Sequence, residues 1–192
     1  NVAAKYEFKT RLRLENSTTM NEYAAGVAQT NATLGQFADG KKVAADIPAF
    51  LAVGVQYSPI SKVRLNAGYH FYDDCHATTY GDKQKLINNG TWEITAGAEY
   101  DCCKWITVSA GWQTTQYDLS DAYMNDLSFS TSSHTIGGGV RVHATDRIKI
   151  DLAYMHTLYG TRDVTAQTAA GNKTDSYTRT NRAFGVGVNF AF

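Results

Sequence analysis

The sequence predicts an all-β protein, an antiparallel up-and-down transmembrane β-barrel with eight strands in a single domain over residues 1–192. Three observations lead to this prediction. Apolar and polar residues alternate with a period of two in eight segments, short and long connections alternate between those segments, and aromatic residues lie near the ends of the apolar faces. The composition agrees, since sixteen glycines, twelve tyrosines and only two prolines favour sheet over helix.

The period-two segments are the predicted strands, because alternate side chains of a strand point to opposite faces. Each segment has one apolar face and one face that is polar or glycine-rich. In chain order the segments are VAAKYEFKTRLRLEN (2–16), IPAFLAVGVQY (47–57), KVRLNAGYHFY (62–72), TWEITAGAEY (91–100), WITVSAGWQT (105–114), SHTIGGGVRVH (133–143), RIKIDLAYMH (147–156) and NRAFGVGVNFAF (181–192).

The connections between the predicted strands are of two kinds. Three are short turns, at residues 58–62, 101–104 and 143–147. The others are long polar loops, at residues 16–44, 73–90, 117–132 and 160–177. Because the two kinds alternate, all short turns fall on one rim of an up-and-down sheet and all long loops on the other, which is typical of outer-membrane barrels.

The faces of the strands distinguish a membrane barrel from a soluble one. Aromatic residues near the strand ends would form two interfacial girdles around a lipid-facing band; they are Tyr6, Tyr57, Phe71, Trp92, Tyr100 and Phe192. The opposite face carries charges of both signs, which suits a polar lumen rather than an apolar ligand cavity. The predicted lumen-facing charges are Lys9, Arg11, Arg13, Arg64, Glu93, Glu99, Arg141 and Asp151. A soluble sandwich with one solvated face remains the alternative.

Composition excludes other classes of protein. Lys+Arg and Asp+Glu are balanced at 18 each, so no basic surface is available for nucleic acid. No apolar run approaches the roughly 20 residues that a membrane-spanning helix needs. Since a helical membrane protein is excluded, the barrel predicted from the faces and connections is expected to contact the lipid of a bacterial outer membrane through its strands.

Several segments, in order, resemble the C-terminal part of the FadL/OmpP1/TodX family of outer-membrane channels for hydrophobic compounds. The segments are DIPAFLAVGVQYSP (46–59), KVRLNAGYHFYDD (62–74), EITAGAEYDCCKWITVSAGW (93–112), DLAYMHT (151–157) and VGVNFAF (186–192). The resemblance implies the last eight strands of a fourteen-stranded barrel. It also implies uptake of hydrophobic small molecules, such as long-chain fatty acids or aromatic hydrocarbons, with no cofactor and no catalysis. Phe190 and Phe192 look like the C-terminal signal that the outer-membrane assembly machinery reads.

A flat sheet with two unpaired edges is not stable in lipid, since each unpaired peptide group costs several kcal/mol. The eight strands are therefore either completed by further strands or closed on themselves. Closure would give a small barrel with a blocked lumen and a structural or adhesion role. Both possibilities stay open at the level of sequence.

The long loops supply the predicted contacts with the hydrophobic ligand. These ligand-binding candidates are Tyr80, Leu86, Leu119, Tyr123, Met124 and Phe129, with Ile87 and Leu127 beside them.

Other chemistry is not favoured by the sequence. Residues 73–76 (DDCH) are interpreted as a solvated loop rather than a metal site, because contiguous ligands rarely converge on one ion. A lipase-like triad built on Asp151 is also not favoured, since His134 and His156 fall on the apolar faces. The odd set of cysteines, Cys75, Cys102 and Cys103, is interpreted as incidental thiols or a local bridge.

Overall fold

The computed structural model describes residues 1–17, 38–125, 128–168 and 171–191. The strands are β1 (Val2–Glu7), β2 (Arg13–Glu15), β3 (Lys42–Ala44), β4 (Phe50–Ile60), β5 (Val63–Tyr72), β6 (Ile87–Cys103), β7 (Ile106–Leu119), β8 (Ser133–His143), β9 (Ile148–Tyr159), β10 (Arg162–Thr168), β11 (Gly171–Tyr177) and β12 (Thr180–Phe190). Short 3₁₀ helices cover Asp74–His76, Tyr80–Leu86 and Asp121–Tyr123. Within these ranges, no helix has both the length and the apolar character needed to cross a membrane.

One antiparallel sheet contains a strand from each of the eight predicted segments, in the order β1-β4-β5-β6-β7-β8-β9-β12. Strands that are neighbours in the sheet are successive predicted segments along the chain, so the all-β, antiparallel, up-and-down prediction is confirmed. Among the described residues β1 and β12 are the two edges of the sheet and do not pair with each other. The eight strands therefore do not close on themselves in this structure.

The first predicted strand, over residues 2–16, is interrupted. β1 pairs with β4 as far as Glu7 opposite Phe50, and Thr10 then forms an isolated bridge with Ile47. β2 pairs with β3 in the same register beyond that bridge. The break lies opposite Pro48, which has no N–H to donate to the ladder. The expectation of one unbroken strand was wrong, although its register continues through the break.

The loop rim is more ordered than the sequence predicts. β6 begins at Ile87 and β7 ends at Leu119, so both strands extend past the predicted loop boundaries. The predicted loop at 160–177 contains the hairpin β10–β11, in which Arg162 pairs with Tyr177. The predicted loop at 16–44 likewise contributes β3. These elements project from the sheet on the side opposite the short turns.

The two faces of the sheet differ as predicted. We call the face with Arg64, Glu93 and Asp151 the polar face, and the opposite one the apolar face. Many large side chains on the apolar face are exposed, from 38% for Ile106 to 79% for Val2. Among the described residues, no large side chain is fully buried. An exposed apolar face of this kind is what the sequence predicts for a lipid-facing barrel wall.

Aromatic residues flank the apolar band at both ends. At the short-turn end Tyr57 and Tyr100 are 65% and 45% exposed. At the loop end Tyr6 pairs with Leu51, which pairs with Phe71, which in turn lies opposite Trp92. This placement agrees with the two girdles that the sequence predicts.

Candidate functional site

Strand register aligns the predicted charges of the polar face into cross-strand pairs. Arg64 lies directly opposite Glu99, and Arg141 lies directly opposite Asp151. Glu93 lies opposite a histidine of β5. Opposite charges placed this way interact favourably, so the strand pairing itself brings these side chains together.

Arg64 is the centre of a hydrogen-bonded cluster near the short turns. Its Nε donates to Glu99 Oε2 at 2.8 Å, and its two terminal nitrogens donate to the carboxylate of Asp101 at 2.7 and 2.9 Å. Thr107 Oγ1 donates to the same carboxylate at 2.7 Å and lies 3.3 Å from His143 Nε2. The bidentate contact with Asp101 fixes the orientation of the Arg64 guanidinium, which faces the carboxylates of the neighbouring strand β6.

Arg141 in β8 and Asp151 in β9 form a second ion pair. The Arg141 Nε and Nη2 donate to the Asp151 carboxylate at 2.6 and 3.2 Å, and Asn189 Nδ2 donates to it at 2.7 Å. These are the hydrogen bonds of Asp151 in the described residues, and none comes from a serine or a histidine. Asp151 is therefore the ion-pair partner of Arg141 in this structure.

Glu93 organises a third cluster, nearer the loops. Its carboxylate lies 3.2 Å from His70 Nδ1 and accepts hydrogen bonds from Gln113 Nε2 at 3.0 Å and Thr115 Oγ1 at 2.8 Å. Tyr72 Oη lies 3.5 Å away. Only 16% of the Glu93 side chain is exposed. These polar neighbours compensate for the loss of water around a half-buried carboxylate.

Between the Glu93 cluster and the two arginine pairs, the polar face has a band of small residues. Gly97, Gly111 and Gly137 lie side by side on three strands, and Met155 lies opposite Gly137. An added Cβ at Gly97 would lie 2.7 Å from Asn66 Oδ1, whereas one at Gly111 would meet only a backbone oxygen at 3.6 Å. A groove of about 580 Å³ follows this band. The floor of this groove lies close to the backbone because glycine has no side chain.

The loops above the sheet contain a small apolar core. Leu119, Met124 and Tyr177 are 4%, 7% and 8% exposed. Other apolar residues pack against this core and are partly buried; they are Ile87, Tyr117, Tyr123, Phe129 and Val164. Arg162 Nη2 ties the β10–β11 hairpin to the core by donating to Leu119 O at 2.6 Å.

Several of the predicted ligand-binding residues belong to this loop core. Leu119 and Met124 are buried in it, and Tyr123 and Phe129 pack on it. Tyr80 is 44% exposed and lies outside it. Their burial favours a structural contribution from Leu119 and Met124, whereas contact with a ligand stays a prediction for the whole set. Leu86 is half-buried, and Leu127 lies outside the described residues.

A lysine packs on the edge of the loop core. Lys83 Nζ lies 4.1 Å from the centre of the Tyr123 ring and donates to Ser128 Oγ. Burial lowers the pKa of Lys83 and raises the pKa of Tyr123. The cation–π contact partly offsets the cost of removing the ammonium group from water.

Three further predicted charges lie beyond β1. Lys9 and Arg11 are outside the strands, and Arg13 begins β2. Lys9 Nζ donates to His76 O at 3.1 Å, which anchors the segment to the loop after β5. A lumen-facing role for these residues stays a prediction.

The C-terminal strand ends at the short-turn rim, as predicted. Phe190 lies opposite Ile148 and is 63% exposed on the apolar face. Phe192 lies outside the described residues. The proposed assembly signal therefore has one described member, exposed to the surroundings of the sheet.

Sequence reasoning missed two sets of contacts. From the sequence, Asp101 is predicted to lie in a short turn. Alternation places Asp101 on the same face of the strand as Glu93 and Glu99, so its position on the polar face could have been predicted. The side chains of Asp73, Cys75 and His76 converge, with their ligand atoms within 4.8 Å of one another. Burial raises the pKa of the Cys75 thiol, and the nearby Asp73 raises it further. All the cysteines are free thiols, so no local bridge forms.

Comparison with known proteins gives a likeness of fold. No protein-family model matches the sequence, and no curated protein matches it. The structure resembles the crystal structure of a FadL homologue from Pseudomonas aeruginosa, with a TM-score of 0.72 and 16% sequence identity. The match covers 98% of this chain and 48% of that one, so the chain spans about half the length of its structural neighbour.

Proposed function

We propose that this chain forms part of the wall of a bacterial outer-membrane channel for hydrophobic small molecules, such as long-chain fatty acids or aromatic hydrocarbons. The observation that carries the proposal is the contrast between the faces of a FadL-like sheet. One face exposes large apolar side chains, and the other holds paired charges on either side of a smooth groove. In this reading the protein is a transporter and not an enzyme.

The paired charges support a lumen that does not bind ions strongly. Arg64 and Arg141 are each satisfied by carboxylates of the neighbouring strand. Glu93 is satisfied by amide, hydroxyl and imidazole groups. Because each arginine is paired with carboxylates and Glu93 is hydrogen-bonded, an apolar solute meets no unpartnered ionic group of these clusters beside the groove floor.

The groove supplies a path with few obstacles. Gly111 leaves its backbone uncovered by side chains, and Met155 and Ala153 add apolar surface at the side of the groove. Weak, non-directional contacts of this kind suit a solute that must enter and leave rather than stay bound. The long loops above the groove would capture the solute first, with the exposed Tyr80 as the accessible member of the predicted set.

The two unpaired edges of the sheet favour a barrel that is completed by further strands over a barrel closed by these eight strands alone. β1 and β12 leave ladder groups without partners among the described residues, and lipid does not provide hydrogen bonds. We infer that further strands, as in a fourteen-stranded barrel, pair with both edges. A small barrel with a structural or adhesion role has no comparable support.

A pair of substitutions tests the groove. Gly111→Trp fills the groove floor where an added Cβ meets nothing closer than 3.6 Å. Ala110→Trp adds the same side chain one residue away, on the apolar face. We expect Gly111→Trp to lower uptake of a labelled long-chain fatty acid by cells that carry the full-length protein as their only such channel, and Ala110→Trp to leave uptake unchanged.

Heat-modifiable migration on gels shows that both variants are folded in the membrane. Equal uptake by the folded Gly111→Trp variant and the unsubstituted protein would discard the groove as the path. No uptake above that of cells without the protein would discard the transport function itself. In that case conductance measurements would decide whether the lumen is blocked.

A further inference from the structure

The loop after β5 brings three different metal-ligating groups together at the rim of the sheet. Cys75 Sγ lies 3.4 Å from Asp73 Oδ1 and 3.4 Å from His76 Nδ1, and His76 Nδ1 lies 2.5 Å from Asp73 Oδ1. The three atoms form a small triangle on one side of the loop. They meet because Asp74–His76 forms one turn of 3₁₀ helix, which returns the His76 ring to Asp73.

The backbone that carries this triangle is held from several directions. Asp74 accepts hydrogen bonds from Thr91 N at 3.0 Å and Thr91 Oγ1 at 2.6 Å. Asp73 N donates to Ala49 O at 2.9 Å, and Lys9 Nζ donates to His76 O. The turn is therefore fixed to the residue before β4, to β6 and to the segment after β1. A fixed backbone reduces the entropy lost when the side chains bind an ion.

The distances suit a small tetrahedral ion. With Zn–S near 2.3 Å and Zn–N or Zn–O near 2.0 Å, tetrahedral geometry places sulfur about 3.5 Å, and the nitrogen and oxygen about 3.3 Å, from one another. The two sulfur edges already have this length. The short His76–Asp73 edge is a hydrogen bond, and it needs to widen by about 0.8 Å when an ion replaces the shared proton.

We propose that Asp73, Cys75 and His76 bind a divalent metal ion of borderline softness, with Zn²⁺ as the best match. Thiolate, imidazole and carboxylate together select such an ion over Mg²⁺ or Ca²⁺, which prefer oxygen ligands alone. Asp74 is held by Thr91, so water or an external ligand takes the fourth position. On binding, Cys75 releases its thiol proton to solvent. The proton between His76 Nδ1 and Asp73 moves through solvent to His76 Nε2, so the neutral imidazole coordinates through Nδ1 and one proton leaves for each ion bound.

The test uses the reduced full-length protein in detergent, with Co²⁺ as a spectroscopic probe and Zn²⁺ as competitor. The background variant carries Cys102→Ser and Cys103→Ser, because these adjacent exposed thiols at the opposite rim are the other soft ligands in the described chain. We expect this background variant to bind Co²⁺ at one site with sulfur-to-cobalt charge-transfer absorption, and Zn²⁺ to displace the Co²⁺.

Two further substitutions in that background identify the ligands. Cys75→Ser removes the charge-transfer absorption, and His76→Ala raises the dissociation constant for Zn²⁺ by about tenfold or more. The His76 side chain is 75% exposed, so its replacement does not disturb packing. Heat-modifiable migration on gels checks that each variant is folded.

Three outcomes would overturn the proposal. The first is no charge-transfer absorption with the background variant. The second is absorption that the unsubstituted protein shows, that the background variant lacks and that Cys75→Ser alone leaves unchanged, which would place the metal at the short-turn rim. The third is Zn²⁺ affinity unchanged by His76→Ala in a folded protein. None of these readouts depends on uptake, so the metal site and the transport function can fail separately.

Discussion

Replacement of Leu119 by alanine tests whether the small apolar core stabilises the folded loops. Leu119 is 4% exposed and packs with Met124 and Tyr177, so the truncation leaves a gap in a three-membered core. The lost transfer free energy is about 2.4 kcal/mol, at about 0.8 kcal/mol for each methylene-sized group. Measured Leu→Ala costs reach about 2–5 kcal/mol when a cavity persists.

The expected cost for Leu119→Ala lies at the low end of that range, about 2–3 kcal/mol, because a small core beside exposed loops collapses readily into the gap. At about 1.4 kcal/mol for each factor of ten, the population of the open loop state rises by about 30-fold to 150-fold. The β10–β11 hairpin depends most on this core, since Tyr177 is buried in it and Arg162 donates to Leu119 O.

Hydrogen exchange with mass spectrometry of the full-length protein in detergent measures this opening. We expect peptides from Arg162–Thr168 and Gly171–Tyr177 to exchange faster by about that factor, up to the limit set by full opening. Peptides from β8 and β9 should keep their protection. Tyr80→Ala, at a side chain 44% exposed and outside the core, is the control and should change neither. Unchanged exchange of the hairpin in Leu119→Ala would refute the idea that this core holds the loops.

Three other predictions concern the sheet. Gly90→Ala should prevent stable folding, because the added Cβ would overlap a backbone oxygen and an aromatic ring at 2.7 Å, whereas Gly111→Ala should be tolerated; urea unfolding in detergent measures both. Arg141→Asp should weaken the sheet by about 1 kcal/mol or less, since the pair is partly exposed, and Asp151→Arg added to it should restore stability. Deletion of Phe192 should lower the amount of heat-modifiable protein in outer membranes, and a wild-type amount would exclude the assembly signal.

The strands of the sheet were predictable because each has one apolar and one polar face. The elements that were missed lack this contrast. β10 reads RDVTAQT and β11 reads GNKTDSY, in which Val164, Ala166 and Tyr177 are the apolar residues, so the period-two signal is too weak to predict strands even though the two pair throughout. The break after β1 was missed for a different reason. The break depends on Pro48, which lies just before β4 in the neighbouring segment, and the sequence of the first segment itself does not indicate a break.

The site was predictable in its charges but not in its contacts. Parity alone places Arg64 and Glu99 on one face. The bidentate contact of Arg64 with Asp101 depends on how far β6 continues beyond Glu99 before it turns. The convergence of Asp73, Cys75 and His76 depends on a single 3₁₀ turn, and so short an element leaves no periodic pattern. Contacts fixed by register or by one turn require the structure.

The alternation of short turns and long loops has a consequence for the order in which the protein folds. β4–β5, β6–β7 and β8–β9 are joined by connections of a few residues, whereas β5–β6 and β7–β8 are separated by longer segments. The entropy lost on closing a connection grows with its length, by about 0.6 kcal/mol for each doubling. Each of the three hairpins can therefore form before it meets the next. We therefore expect the sheet to be assembled by joining these hairpins.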